Sequence, residues 1–237
     1  MSVMRLDKCL AEMSFGTRKE VKSLIKKGYV SVNQNSNVTP EQKVDTCHDQ
    51  IQVCGKLVEF TGFEYFMLNK PQGYVSATKD NLHPTVLELI QDKKRKDLFP
   101  VGRLDIDTEG LLLITNDGKL ANHLLAPRHH VGKTYFVRVD GCVDEEDITL
   151  FAKGMDIGDD RPTRPAQIEI LKAGETSEVM VAIVEGRYHQ VKRMFAAIGK
   201  PVLYLRRMAM GSLVLDDTLA LGSYRRLTEE EIQKLWE

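Results

Sequence analysis

The sequence predicts an α+β protein in two parts: a small α/β module, then a larger domain built on a mixed, mostly antiparallel sheet flanked by helices. Three observations predict it. Apolar residues recur at helical spacing near the N-terminus, at Leu6, Leu10 and Met13 and again at Val21, Leu24 and Ile25. Farther along, Lys133–Val139 and Glu178–Val184 alternate with the period of a half-buried strand. Between them Gly110–Thr115, GLLLIT, is an unbroken apolar run suited to a strand covered on both faces.

The first helix should stop at Ser14-Phe15-Gly16. Thr17-Arg-Lys-Glu20 is a capping-box signature for a second helix, which Gly28 is placed to end. Two strand-like pieces follow, Tyr29–Asn33 and Ile51–Cys54, with a polar loop between them. On the second helix Arg18, Lys19, Lys22, Lys26 and Lys27 are basic, and Lys19, Lys22 and Lys26 share a face opposite the apolar stripe. Such a helix can lie against a nucleic-acid backbone. A module over residues 1–60, a linker at Glu59–Gly62 and a second domain over 63–237 are the expected organisation.

In the larger part, Tyr65–Asn69 reads as a buried strand stopped by Lys70-Pro71, and Asn116-Asp117-Gly118 as a turn closing the apolar run. Asp144-Glu-Glu-Asp147 opens a helix that reaches Lys153 and ends at Gly154. Another helix is expected over Tyr188–Ile198, with Val191, Phe195 and Ile198 inward and Gly199-Lys-Pro201 as its stop. Neither a Rossmann nor a P-loop glycine pattern is present.

The chain of 237 residues carries a formal net charge of −1, so its total charge names no partner. Its distribution does: Met4–Lys27 holds seven Lys/Arg against three acids, and Gly186–Arg207 holds six against none. No apolar run approaches membrane-spanning length, and no apolar signal core follows the charged start, so a cytoplasmic protein is expected. Cys9, Cys47, Cys54 and Cys142 lack metal or redox spacing and are expected to be buried free thiols.

The densest chemical candidate is Gly102-Arg103-Leu104-Asp105-Ile106-Asp107-Thr108-Glu109-Gly110. Three carboxylates at spacing two beside an arginine imitate the start of a calcium loop. The twelfth position that must chelate is Asn116, which excludes that reading. A carboxylate pair flanking a glycosidic bond fits the residue types, and so does an ion pair of Arg103 within a turn, which is the commoner outcome of such patterns. His129 and His130 lack the further ligand spacing a metal site needs, and no metal is expected; RNA contact by Arg128 and His129 fits better.

These motifs together resemble the RsuA family of pseudouridine synthases. The resemblance rests on Gly102-Arg-Leu-Asp105 with Thr108-Glu-Gly-Leu-Leu-Leu113 and Thr115-Asn-Asp-Gly118. Leu68-Asn-Lys-Pro71, His83-Pro-Thr-Val86, Lys133-Thr-Tyr135 and Glu185-Gly-Arg-Tyr-His-Gln-Val-Lys-Arg-Met-Phe195 follow in the family's order. The N-terminal module, through Arg5-Leu6-Asp7-Lys8, Ser14 to Arg18 and Gly28-Tyr-Val-Ser-Val-Asn33, resembles the alpha-L RNA-binding motif of a small-subunit ribosomal protein.

The resemblance implies isomerisation of one uridine in small-subunit (16S) ribosomal RNA or an assembling particle, by a monomer needing no cofactor. It makes Asp105 the carboxylate acting at the ribose, as nucleophile or as base, and Lys192 its cationic partner. Tyr135 becomes the ring that meets the extracted base. Arg103 would hold the vacated stack or a phosphate, Arg193 a phosphate, and His189 and Gln190 would lie at the substrate. Arg18, Lys19, Lys22 and Lys26 would meet the RNA backbone. A large-subunit paralogue, a non-catalytic assembly factor and a hydrolase that frees uracil are the competing readings.

Overall fold

A computed structural model describes residues 3–237. Contacts divide the chain into two compact units, one formed by residues up to 64 with 91–98, the other by 65–90 with 99–237.

The first unit begins with β1 (Val3–Arg5), α1 (Leu6–Glu12) and α2 (Arg18–Lys26). Thr17 caps α2 as its sequence predicts: the hydroxyl accepts from Glu20 N–H, and the Glu20 carboxylate accepts from Thr17 N–H at 2.6 Å. Gly28 then turns the chain at φ +75° into β2 (Val30–Val32). β3 (Lys43–Asp45) pairs antiparallel with β1, while β4 (Ile51–Val53) pairs with β2 and with β5 (Lys56–Leu57). The helical stripe meets these strands in a core of Leu6, Leu10, Val21, Ile25, Val30 and Ile51.

Sequence reasoning did not place segment 91–98 here. Arg95 holds it: the guanidinium pairs with Glu12 and Asp97, each at 2.7 Å, and lies 5.5 Å from the centre of the Phe60 ring. The Glu64 carboxylate accepts from the N–H groups of Lys94 and Arg95.

The second unit comprises β6 (Tyr65–Lys70), β7 (Phe99–Pro100), β8 (Glu109–Thr115), α3 (Gly118–Leu125), β9 (Lys133–Asp140) and α4 (Glu145–Lys153). β10 (Gln167–Lys172), β11 (Thr176–Ile183), α5 (Gln190–Ala197), β12 (Val202–Met210), β13 (Leu213–Val214), β14 (Tyr224–Arg226) and α6 (Glu229–Lys234) complete it. One mixed sheet runs β10-β11-β9-β12-β8-β6-β14, with β13 added to β12 and β7 to β8. Every pairing is antiparallel except β12 with β8. β8 lies inside the sheet and is buried from Gly110 to Thr115, which explains its unbroken apolar run. β9 and β11 alternate buried and half-exposed residues, as their period requires.

The apolar run ends at Thr115, and Asn116-Asp117-Gly118 leads directly into α3, a helix the sequence reading did not place: the Asp117 carboxylate accepts from the N–H groups of Lys119 and Leu120. The thiols also differ from expectation: Cys9 is buried, whereas Cys47, Cys54 and Cys142 are exposed.

Candidate active site

The loop between β7 and β8 carries Asp105 and Asp107, Glu109 opens β8, and backbone groups fix the loop's path. Gly102 takes φ +77°, and Gly110 takes φ +99°. A side chain at Gly110 would run into the backbone of Arg207, where parallel strands β8 and β12 meet. Ser76 Oγ donates to Leu104 C=O at 3.0 Å and accepts from Leu104 N–H at 3.1 Å, while Gly73 N–H donates to Ile106 C=O.

Lys70, at the end of β6, is the strongest of these clamps. It is wholly buried, and its Nζ donates to the carbonyls of Asp105 at 3.0 Å and Thr108 at 2.8 Å, with Pro71 at 3.1 Å. Burial lowers its pKa to about 8, against the raising pull of Asp107, Asp105 and Glu109.

From this loop Asp105 meets α5. Its Oδ2 lies 3.2 Å from Lys192 Nζ, and its Oδ1 lies 3.4 Å from His189 Nε2. Lys192 also donates to Asp107 Oδ1 at 2.6 Å. Burial pulls the Lys192 ammonium down, but its bonds to Asp107 and Asp105 outweigh this and leave its pKa raised. Burial likewise pushes Asp107 up, and Lys192 more than reverses it, leaving the carboxyl below its ordinary value. One ammonium therefore holds two carboxylates.

Tyr135 stands on the same floor. Cross-strand register runs Lys70↔Gly110↔Arg207↔Tyr135, and paired residues share a face. Tyr135 is 8% exposed, and its hydroxyl makes no hydrogen bond among the described residues. Arg207 is almost wholly buried: Nε donates to Leu111 C=O, and Nη2 has no partner. A carboxylate paired with a lysine can act on a sugar carbon, and an aromatic ring can meet a flat base.

Two families match the chain: the S4 domain over residues 4–49 and the RNA pseudouridylate synthase over residues 64–197. The chain belongs to the RNA pseudouridylate synthase family. It is 45% identical to the uncharacterized RNA pseudouridine synthase YtzG of Bacillus subtilis (strain 168), over 98% of each chain. It is 42% identical to ribosomal small subunit pseudouridine synthase A of Escherichia coli (strain K12), over 97% of this chain and 98% of that one. A crystal structure of a pseudouridylate synthase superposes with a TM-score of 0.70 at 39% identity, covering 98% of this chain and 99% of the other.

This pseudouridine synthase, an isomerase, brings together Asp105, Lys192 and His189 from the residues singled out in its sequence. Arg103 is exposed and makes no hydrogen bond or ion pair among the described residues. Two expectations change. Arg193 does not present its guanidinium to a phosphate: Nη2 binds Asp159 Oδ1 at 2.6 Å and the Ile157 carbonyl, and Nη1 binds the Tyr188 carbonyl. Gln190 is 3% exposed and braces the turn into α5, accepting from Arg187 N–H and donating to Glu185.

In the first unit Arg18, Lys19 and Lys26 are exposed on α2. Lys22 departs from that basic face, because its Nζ lies 3.7 Å from Asp7 and 3.9 Å from Glu41. Sequence reasoning missed the roles of Lys70, Ser76 and Arg207. A lysine ending the strand-like run FMLNK, expected to be buried, was the available signal for the first.

A hollow of about 400 Å³ beneath α4 is lined by Thr134, Ile148, Ala152, Ile168, Met180 and Ala182 among others, and contains none of these residues. The Asp105 cluster is the candidate site, because the charged groups converge there.

Proposed function

We propose that the enzyme isomerises one uridine to pseudouridine in small-subunit ribosomal RNA, with Asp105 acting on the ribose. The observation that carries the reading is the Asp105–Lys192 contact at 3.2 Å on a loop clamped by Lys70. The names of the 41–42% identical small-subunit relatives support the choice of RNA.

A uridine inside folded RNA must leave its stack to reach such a site. The bond between C1′ and N1 breaks, the freed uracil turns, and a bond forms between C1′ and C5. The proton on C5 is lost and N1 gains one, so atoms balance without any redox partner. Asp105 begins this either by attacking C1′ or by taking the proton from C2′. Lys192 Nζ, 3.2 Å from the carboxylate, is its charge partner. Tyr135 offers its ring to the detached base, and its hydroxyl helps remove the C5 proton. Arg103, exposed beside Gly102, fills the vacated stack or holds a flanking phosphate. Arg18, Lys19 and Lys26 contribute phosphate contacts from the N-terminal module.

Tritium release from ribosomal RNA labelled at C5 of uridine tests the reading. Release by wild type, absent in Asp105→Asn and without free uracil, is expected from small-subunit RNA or its assembling particles. Release of free uracil would make the enzyme a hydrolase, and response to large-subunit RNA alone would move the target.

A further inference from the structure

The chain's one tryptophan belongs to an aromatic and cationic cluster that the proposed chemistry leaves unused. Trp236 is 44% exposed. Its ring centroid lies 5.5 Å from that of His123, on α3, and His123 lies 4.5 Å from His129. Arg128 Nε donates to His129 Nε2 at 3.0 Å, and Arg164 Nη1 lies 2.8 Å from His130 Nδ1. Neither arginine meets a carboxylate among the described residues. To accept from Arg128, His129 must be unprotonated; burial, then the neighbouring His123, Arg128 and His130, lower its pKa accordingly.

The cluster adjoins the catalytic loop on two sides. A Cβ placed on Gly102 would meet Leu125 Cδ2 at 3.2 Å, so the end of α3 abuts the loop bearing Arg103 and Asp105. Arg164 N–H donates to Glu185 at 2.9 Å, and Glu185 accepts from Gln190 at the start of α5, the helix that supplies Lys192.

Exposed rings flanked by unneutralised guanidinium groups match what an unpaired nucleotide needs: a face to stack on and cations for its phosphates. A protein partner would more often be met by an apolar centre inside a polar rim. We propose that Trp236, His123 and His129 form a stacking site for an unpaired nucleotide of the RNA strand adjoining the flipped uridine, with Arg128 and Arg164 meeting its phosphates. The inference rests on the uridine-isomerase reading and adds a second grip on the same strand. Because every base has a π-face, this site supplies hold without choosing sequence.

Trp236 is its own reporter. Wild type, Asp105→Asn and His123→Ala/His129→Ala are titrated with unmodified small-subunit ribosomal RNA while indole emission is followed. Saturable quenching is expected in wild type and equally in Asp105→Asn. The double histidine variant should bind roughly tenfold more weakly, within the ~5- to 150-fold cost of a lost base stack. In tritium release its KM rises by that factor, with kcat within about twofold of wild type. Trp236→Ala should weaken filter binding similarly, and Trp236→Phe should restore most of it. Unquenched emission from a wild-type enzyme that releases tritium, or unchanged KM in the histidine variant, overturns the proposal. Quenching without any tritium release would leave the stacking site standing and remove the isomerase reading instead.

Discussion

The Lys70 ammonium, wholly buried at the end of β6, donates to the backbone carbonyl of Asp105 at 3.0 Å. The same nitrogen reaches the Thr108 carbonyl at 2.8 Å, so one side chain grips the loop at the proposed catalytic residue and three residues beyond. Asp105 is thereby positioned through its backbone from one side and through its carboxylate, by Lys192, from the other.

Lys70→Met should therefore lower kcat much more than it raises KM. Loss of the clamp lets the Asp105 carboxylate drift, and about 1 Å of misplacement can cost roughly a hundredfold. Tritium release at saturating RNA measures it, and an unchanged kcat would deny the clamp its role.

The same lysine gives a pH signature. Its folded-state pKa is depressed to about 8 from the ordinary lysine value of 10.5, so the folded protein sheds this proton before the unfolded chain does. Between those values the unfolded chain binds more protons, and Lys70's contribution to stability rises with pH; below about 8 both states hold the proton and the slope vanishes. Urea unfolding of wild type minus Lys70→Met should show a difference growing toward pH 10, by up to ~3 kcal/mol. Lys133 is also depressed by burial, and the subtraction removes its share.

Lys192→Met should cost about a hundredfold in kcat, because Asp105 loses its charge partner. Asp107→Asn removes only a competitor for that ammonium, from a side chain 62% exposed, and should change kcat less than about tenfold. Equal losses in the two variants would mean that Asp107 shares the chemistry.

Gly110→Ala should destabilise the enzyme by about 2–4 kcal/mol in urea unfolding. The cause is twofold: φ of +99° suits glycine alone, and the added methyl would run into the Arg207 backbone. A small-residue change elsewhere on the sheet surface should cost well under this.

The sequence made legible whatever local chemistry controls. Thr17 and Glu20 announced their helix, and β8 and β9 showed their burial in their periods. Asp105 and Lys192 were named through motif, although 87 residues separate them and only the fold brings them to 3.2 Å. Lys70 and Arg207 escaped because their partners are backbone carbonyls, which every residue has and no pattern marks. β12 was unread for a related reason. Its two arginines, one of them buried, interrupt the alternation that would have disclosed the strand. Arg193 looked like a phosphate ligand by type and was instead consumed by the 157–159 loop, a tertiary contact no spacing reveals.

The N-terminal module offers a sharper test than its charge count. Each lysine that neutralises a phosphate contributes close to one unit to the slope of log affinity against log salt. Lys19 and Lys26 are exposed on α2, whereas Lys22 stands within 4 Å of both Asp7 and Glu41. Lys19→Ala and Lys26→Ala should therefore each flatten the slope by about one unit. Lys22→Ala should flatten it less, since much of its charge is already spent on Asp7. Affinities for ribosomal RNA across a salt series give the three slopes directly. A full unit lost at Lys22 would mean that RNA displaces Asp7, making the ion pair a latch that opens on binding.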